Sequence, residues 1–276
     1  MSTDSLGSRR PRPHNAHYPA GLNTMTIHTE EQLEGLKSAA QVVSGILRRM
    51  CHVAEPGMTT AELDSLGAKW LAEADAESAP RLTYDFPGAT CISVNEEIAH
   101  GVPGSRRLNA GDMVNIDVSA RVGRYFADTG ASFTVPPDVP VKKQVRTATL
   151  AALDAAIHEV RPGARLNRIG HAIEGVARRT SLRVVRNLCS HGVGSALHEE
   201  PTNITGYFDP RDRRVMREGM VFTIEPFLST KARHAEDVGD GWTLVGPKGS
   251  VTAQYEHTLV VGRQGAIVLT DLRGLP

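Results

Sequence analysis

The chain has 276 residues, with 31 Lys+Arg balanced by 31 Asp+Glu and 40% apolar residues. Zero net charge excludes a general polyanion binder, which needs clustered excess positive charge, and the apolar share excludes a disordered chain. No run approaches the roughly 18 apolar residues of a membrane span. The opening residues, with Arg9, Arg10 and Arg12, have no apolar signal segment, and Cys51, Cys91 and Cys189 are too few for a disulfide framework. The expectation is a cytoplasmic globular protein.

Residues 1–24, rich in Gly, Pro, Ser, Asn and Arg, read as a flexible tail, leaving 25–276 as a single domain. Thr29-Glu30-Glu31-Gln32 has the capping-box pattern, and Leu33, Leu36, Ala40, Val43, Leu47 and Met50 continue a helical stripe until Pro56-Gly57. A second helix starts at Thr59-Thr60-Ala61-Glu62 and carries Leu63, Leu66 and Trp70. The second half repeats the pattern. Val145, Thr149, Ala152, Ala156 and Val160 mark a helix from about residue 141, Pro162-Gly163 stops it, and Ile169, Ile173 and Val176 mark the next. The two Pro-Gly steps lie 106 residues apart, an offset that sets Leu63 on Ile169 and Trp70 on Val176. Two copies at so long a period predict a duplicated half-domain rather than a solenoid. After each helix pair come short strand-like runs bounded by Gly and Pro, at 91–94, 113–119, 125–135, 183–188, 220–225, 254–261 and 266–270. Helices followed by antiparallel strands, twice over, predict an α+β fold.

Met113 to Ser119 alternates strictly, with Val114, Ile116 and Val118 on one face and Asn115, Asp117 and Ser119 on the other. Taking Val122-Gly123 as a two-residue turn places Asp117 directly opposite Asp128, with Cβ atoms about 4.5–5.5 Å apart. Two ionised carboxylates there repel, so the pair calls for a shared proton, a cation or a metal. The alternative is an exposed hairpin with two solvated aspartates. Val122 fits the positive φ of a type I′ turn poorly, so a bulge there would shift this register. Glu225 ends an apolar run from Met220, and Glu256 stands between Gln254 and Thr258 on a polar strand face. A buried carboxylate at either place needs a partner, whereas a strand-end glutamate is solvated. His191-Gly192-Val193-Gly194 and His100-Gly101-Val102-Pro103 set imidazoles beside glycine, where backbone bulk cannot obstruct a ligand. His198 follows seven residues after His191, and spacing alone does not separate ligands from structural histidines.

Taken in order, the residues Cys91-Ile92-Ser93-Val94-Asn95-Glu96-Glu97-Ile98-Ala99-His100-Gly101-Val102-Pro103, Asn115-Ile116-Asp117-Val118, Asp128-Thr129, His191-Gly192-Val193-Gly194, His198-Glu199-Glu200-Pro201, Thr223-Ile224-Glu225-Pro226 and Gln254-Tyr255-Glu256-His257-Thr258 resemble the type I methionine aminopeptidases over residues 25–270. The resemblance implies the pita-bread fold, two pseudo-twofold-related halves with a curved antiparallel sheet backed by helices. It implies two divalent metal ions (Co, Mn, Fe(II), Zn or Ni) held by Asp117, Asp128, His191, Glu225 and Glu256. In that pattern Asp128 and Glu256 bridge the ions, Asp117 chelates one, and His191 with Glu225 completes the other. Four carboxylates would neutralise two divalent ions, and an oxygen-rich set with one imidazole suits Mn, Fe(II) or Co.

The implied reaction is removal of the initiator methionine from nascent polypeptides with a small second residue, by metal-activated water. Glu225 would shuttle the proton, His198 would bind the scissile carbonyl, and His100 would contact the backbone beyond the cut. Phe86 and Trp242 match apolar walls of the methionine pocket. Pro80, Thr83 and Leu197 stand where a cysteine, a tyrosine and an aromatic are usual, which removes π-surface from the thioether site. The implied setting is a cytoplasmic monomer acting on nascent N-termini, with transient ribosome contact and neither a nucleic-acid nor a membrane partner. Two alternatives on this fold are an Xaa-Pro aminopeptidase or prolidase-like enzyme and a non-catalytic binding protein. A structural Ca²⁺ site is opposed by His191, because Ca²⁺ takes oxygen donors.

Overall fold

The computed structural model describes residues 25–275, so the tail read for 1–24 lies outside the described residues. Helix α1 (Glu30–Val53) starts behind Thr29, whose hydroxyl accepts from the Gln32 N–H while the Gln32 side chain accepts from the Thr29 N–H. Helix α2 (Thr60–Glu73) repeats this capping box with Thr59 and Glu62. The first half continues through β1 (Ala76–Ser78), the short helix α3 (Ala79–Tyr84), β2 (Cys91–Val94), β3 (Glu97–Ala99) and the long hairpin β4 (Met113–Val122) and β5 (Tyr125–Thr134). The second half holds α4 (Pro140–Ile157), α5 (Asn167–Arg179), β6 (Arg183–Val184), β7 (Cys189–Gly192), β8 (Glu199–Thr205), β9 (Val221–Ile224) and β10 (Phe227–Ser229). It ends with β11 (Glu236–Asp237), β12 (Leu244–Val245), β13 (Thr252–Gln254), β14 (His257–Gly262) and β15 (Gly265–Val268). Among the described residues no helix is long and apolar enough to cross a membrane.

The duplication is visible in the pairing. In the first half β4 pairs antiparallel with β1, β2 and β5. In the second half two strand pieces divide that role: β10 pairs with β6 and β13, and β9 pairs with β7 and β14. The break between β9 and β10 falls at Glu225-Pro226, where proline has no N–H to give a ladder. The break between β13 and β14 falls at Tyr255-Glu256. There Tyr255 bridges to Ala131 and the Glu256 N–H donates to Gly130 O at 2.9 Å, joining the two halves along β5.

Helix α1 packs on β4 and β5, and α4 packs on α5, β10 and β13. The alternation in β4 puts Val114, Ile116 and Val118 into one core with Leu47, Met50 and Ile169, all fully buried. Each such side chain contributes about 1.5–3 kcal/mol relative to exposure. The opposite face of β4, with Asn115, Asp117 and Ser119, is thereby turned into the concave side of the sheet.

The hairpin register differs from the one read from the sequence. Val122 pairs with Tyr125, so the turn is Gly123-Arg124, with Gly123 at φ +57 in the first loop position. A β-branched residue resists positive φ and glycine does not, so the turn moves one residue along. Asp117 therefore opposes Gly130 and Asp128 opposes Ser119. The two aspartates are diagonal neighbours, not direct partners, yet parity keeps them on one face. Two of the expected strand runs are also interrupted. The run 183–188 stops pairing at Val184, after which the Arg186 N–H turns to Arg233 O, and the run 254–261 is split at Tyr255-Glu256.

Candidate metal centre

Five side chains converge on the concave face from five places in the chain: Asp117 in β4, Asp128 in β5, His191 in β7, and Glu225 and Glu256 at the two strand breaks. His191 Nε2 lies 3.5 Å from Glu225 Oε1 and 3.9 Å from Asp128 Oδ2. Ligand atoms of Asp128, His191 and Glu256 all lie within 4.8 Å of one another, and Asp117 is close enough to Asp128 for its carboxyl to feel that charge.

A second layer of hydrogen bonds fixes this geometry. His191 Nδ1 meets Gly192 O at 3.1 Å. A carbonyl can only accept, so Nδ1 carries the proton and Nε2 presents its lone pair to the cluster. Gln254 Nε2 donates to Glu256 Oε2 at 3.0 Å, and Asn115 Nδ2 donates to Gln254 Oε1 at 2.8 Å, which orients the amide. Gly130 leaves the room for that amide, because a Cβ there would collide with it. The Asp128 N–H donates to Thr258 Oγ1 and the Glu225 N–H to Ser190 Oγ, each at 3.0 Å. Gln254→Leu keeps the volume and removes the donor, so divalent-ion affinity measured by titration calorimetry should fall about 10–100-fold.

The electrostatics of the cluster suit a cation. Burial, then the charges of Asp128 and Glu256, push the Asp117 carboxyl well above the usual range. Burial, then Asp117 and Asp128, do the same to Glu225, and burial, then Asp128 and Glu225, to Glu256. Asp128 is raised by burial, with His191 opposing. Two oxygens, Asp128 Oδ1 and Glu256 Oε1, are buried with no hydrogen-bond partner, an expensive condition that a bound cation relieves. Four carboxylates and one imidazole therefore fit divalent transition ions, and the imidazole argues against Ca²⁺.

Above the cluster lies a cavity of about 380 Å³. Phe86 and Trp242 form one wall, edge to face with centroids 5.2 Å apart, and Leu197, His100 and His198 also line it. Pro80 lines the cavity, whereas Thr83 is not among the lining residues. His198 stacks on His191 with centroids 4.0 Å apart and is hydrogen-bonded through Nδ1 to Tyr84 Oη at 2.7 Å. Burial, then His191 and His100, hold His198 well below its ordinary pKa, so the ring is neutral. Burial raises the Cys189 thiol to about 11 and, aided by the nearby carboxylates, raises Cys91 well above its usual value, which disfavours both thiolates. Sequence reasoning assigned no role to Tyr84 or Gln254. Tyr84 gives no periodic signal, while Gln254 was legible only as a polar residue two positions before Glu256.

Residues 34–263 match metallopeptidase family M24. The methionine aminopeptidase of Staphylococcus epidermidis is 42% identical over 249 residues, which is 90% of this chain and 99% of that protein. Methionine aminopeptidase 2 of Bacillus subtilis is also 42% identical over 249 residues, 90% of this chain and all of its own length. The crystal structure of methionine aminopeptidase from Thermotoga maritima superposes with a TM-score of 0.84 at 32% identity, covering 90% of this chain and 99% of that one. Prolidase from Pyrococcus furiosus shares the fold, with a TM-score of 0.72 at 22% identity over 90% of this chain and 66% of its own.

Proposed function

This chain belongs to metallopeptidase family M24, and on that premise we propose that it is a methionine aminopeptidase acting on peptide and nascent-protein N-termini whose second residue is small. The observation that carries this reading is the convergence of Asp117, Asp128, His191, Glu225 and Glu256 beneath a cavity with an apolar wall. Two divalent ions held by these five residues would supply the acidity that makes water a nucleophile at neutral pH.

The chain's own groups do the remaining work. Asp128 and Glu256 each keep one buried carboxylate oxygen without a hydrogen-bond partner, so both would be free to hold the ions. Asp117, and His191 with Glu225 3.5 Å away, would complete the set that holds them. Glu225 takes the proton of the attacking water and passes it to the leaving amine. His198, neutral and uncharged in the ground state, donates to the carbonyl oxygen as negative charge grows there, and His100 holds the backbone beyond the cut. The free α-amino group would be received at the metal centre, which limits cleavage to the first residue, and Phe86 with Trp242 receives the methionine thioether. On this reading the enzyme is a cytoplasmic monomer that acts on emerging chains with transient ribosome contact.

The test is hydrolysis of Met-Ala-Ser and of a panel of Xaa-Pro peptides after EDTA treatment and re-addition of Mn, Fe(II), Co, Ni or Zn singly. Met-Ala-Ser should be cut only with metal restored. Exclusive cleavage of Xaa-Pro bonds overturns the substrate, and inactivity with every metal overturns the enzyme.

A further inference from the structure

We propose that Tyr84 is a positioning residue for this hydrolysis: its hydroxyl donates to His198 Nδ1, places the ring proton on Nε2 and so makes His198 a fixed hydrogen-bond donor to the scissile carbonyl oxygen. The inference rests on the hydrolytic reading above.

The contact is short and braced on every side. Tyr84 Oη and His198 Nδ1 are 2.7 Å apart, with the two rings tilted at 59°. His191 stacks on the His198 ring with centroids 4.0 Å apart, so the imidazole is held between a metal-site histidine and the tyrosine. Tyr84 is the last residue of α3. At the start of that helix the Ser78 hydroxyl donates to Ala89 O at 2.7 Å and accepts from the Arg81 N–H at 3.4 Å. At its end Asp85 adopts a left-handed conformation at φ 59, and its N–H donates to Arg81 O. Ala79 of α3 is buried in one apolar cluster with Phe126, Val193 and Leu197, the residue before His198. One packed unit therefore fixes both partners.

A neutral imidazole has one donor and one acceptor nitrogen. If Nδ1 carried the proton, Nε2 would present a lone pair, and a lone pair repels the oxygen on which negative charge grows. With Nδ1 occupied by the Tyr84 hydroxyl as acceptor, the ring donates from Nε2 into the cleft that both residues line. Preorganised donors of this kind act where charge develops rather than on the ground state.

Tyr84→Phe keeps the ring and removes the hydroxyl, and it is tested in the zinc-loaded enzyme with ¹⁵N-labelled histidine. In the unsubstituted protein, long-range ¹H–¹⁵N correlations should place the His198 proton on Nε2. In Tyr84→Phe the two tautomers should mix, and kcat on Met-Ala-Ser should fall about tenfold or more with KM within about twofold. A proton on Nδ1 in the unsubstituted protein, an unchanged kcat in the variant, or a change confined to KM overturns the proposal. If His198 carries its proton on Nε2 and Tyr84→Phe disturbs it, yet the unsubstituted enzyme cuts no peptide with any metal, the positioning stands and the hydrolytic reading fails.

Discussion

Glu256→Gln should retain less than about 0.1% of the wild-type kcat/KM on Met-Ala-Ser, a larger loss than the 10–100-fold typical of second-layer substitutions around a metal. The substitution preserves shape and removes one charge. It places an amide N–H₂ either against the Gln254 N–H₂, which now donates to Glu256 Oε2, or at the position of Oε1, which faces the cluster without a partner. Neither arrangement restores a second anionic oxygen, so under the proposed two-ion reading both ions would lose a ligand together. Calorimetric titration should therefore show weaker divalent binding by at least about 100-fold. Loss through misfolding predicts something different. With EDTA present, the variant should unfold at or above the wild-type temperature near neutral pH, because a neutral amide replaces a carboxyl whose ionisation burial and two like charges disfavour. Near-normal turnover with metal content verified by elemental analysis would contradict a shared bridging ligand.

The features legible in the sequence are those decided by short-range chemistry. Thr29 with Gln32 and Thr59 with Glu62 announce two helix starts because a capping box is satisfied within four residues. The alternation Val114, Ile116, Val118 announces which face of β4 is buried because strand parity is fixed by geometry. Parity also explains why the alternation puts Asp117 and Asp128 on one face even though the observed register differs from the one it suggests. Which residues sit opposite depends on the turn, and the turn is set by the one residue that accepts positive φ without strain, Gly123. Glu225 and Glu256 could be singled out as charges in apolar surroundings. That both lie at strand breaks depends on Pro226 and on the crossing of Tyr255 to Ala131, a contact between halves that local pattern cannot contain. Tyr84 is the extreme case: its partner is 114 residues away, and the helix that presents it is six residues long, too short to leave a periodic trace.

Removing divalent ions should make stability fall with rising pH. Unfolded aspartate and glutamate titrate near about 3.9 and 4.3, whereas in the fold Asp117, Glu225 and Glu256 are pushed well above that range and Asp128 is raised. Above the unfolded values and below the raised folded ones, the metal-free native state therefore holds protons that the unfolded chain has released. Stability contributed by these neutral carboxyls is complete below the unfolded values and is lost as pH climbs toward the folded ones. The rate is about 1.4 kcal/mol per pH unit for each proton so held. His191 and His198 act in the opposite direction, since burial lowers both, but their effect is confined to pH below the unfolded value of about 6.5. The thiols join only near pH 8.5 and above, where unfolded cysteine ionises at about that value. The window from pH 6.5 to 8 thus isolates the carboxyl cluster. In EDTA the unfolding temperature should drop steadily across this window. With excess divalent ion it should stay nearly level and higher throughout, by an amount set by ligand concentration over Kd, about 2.7 kcal/mol at a hundredfold excess for one site. A metal-free protein whose unfolding temperature is flat or rises between pH 6.5 and 8 would mean that these carboxyls are solvated and ionised, and that nothing in the cluster requires a cation.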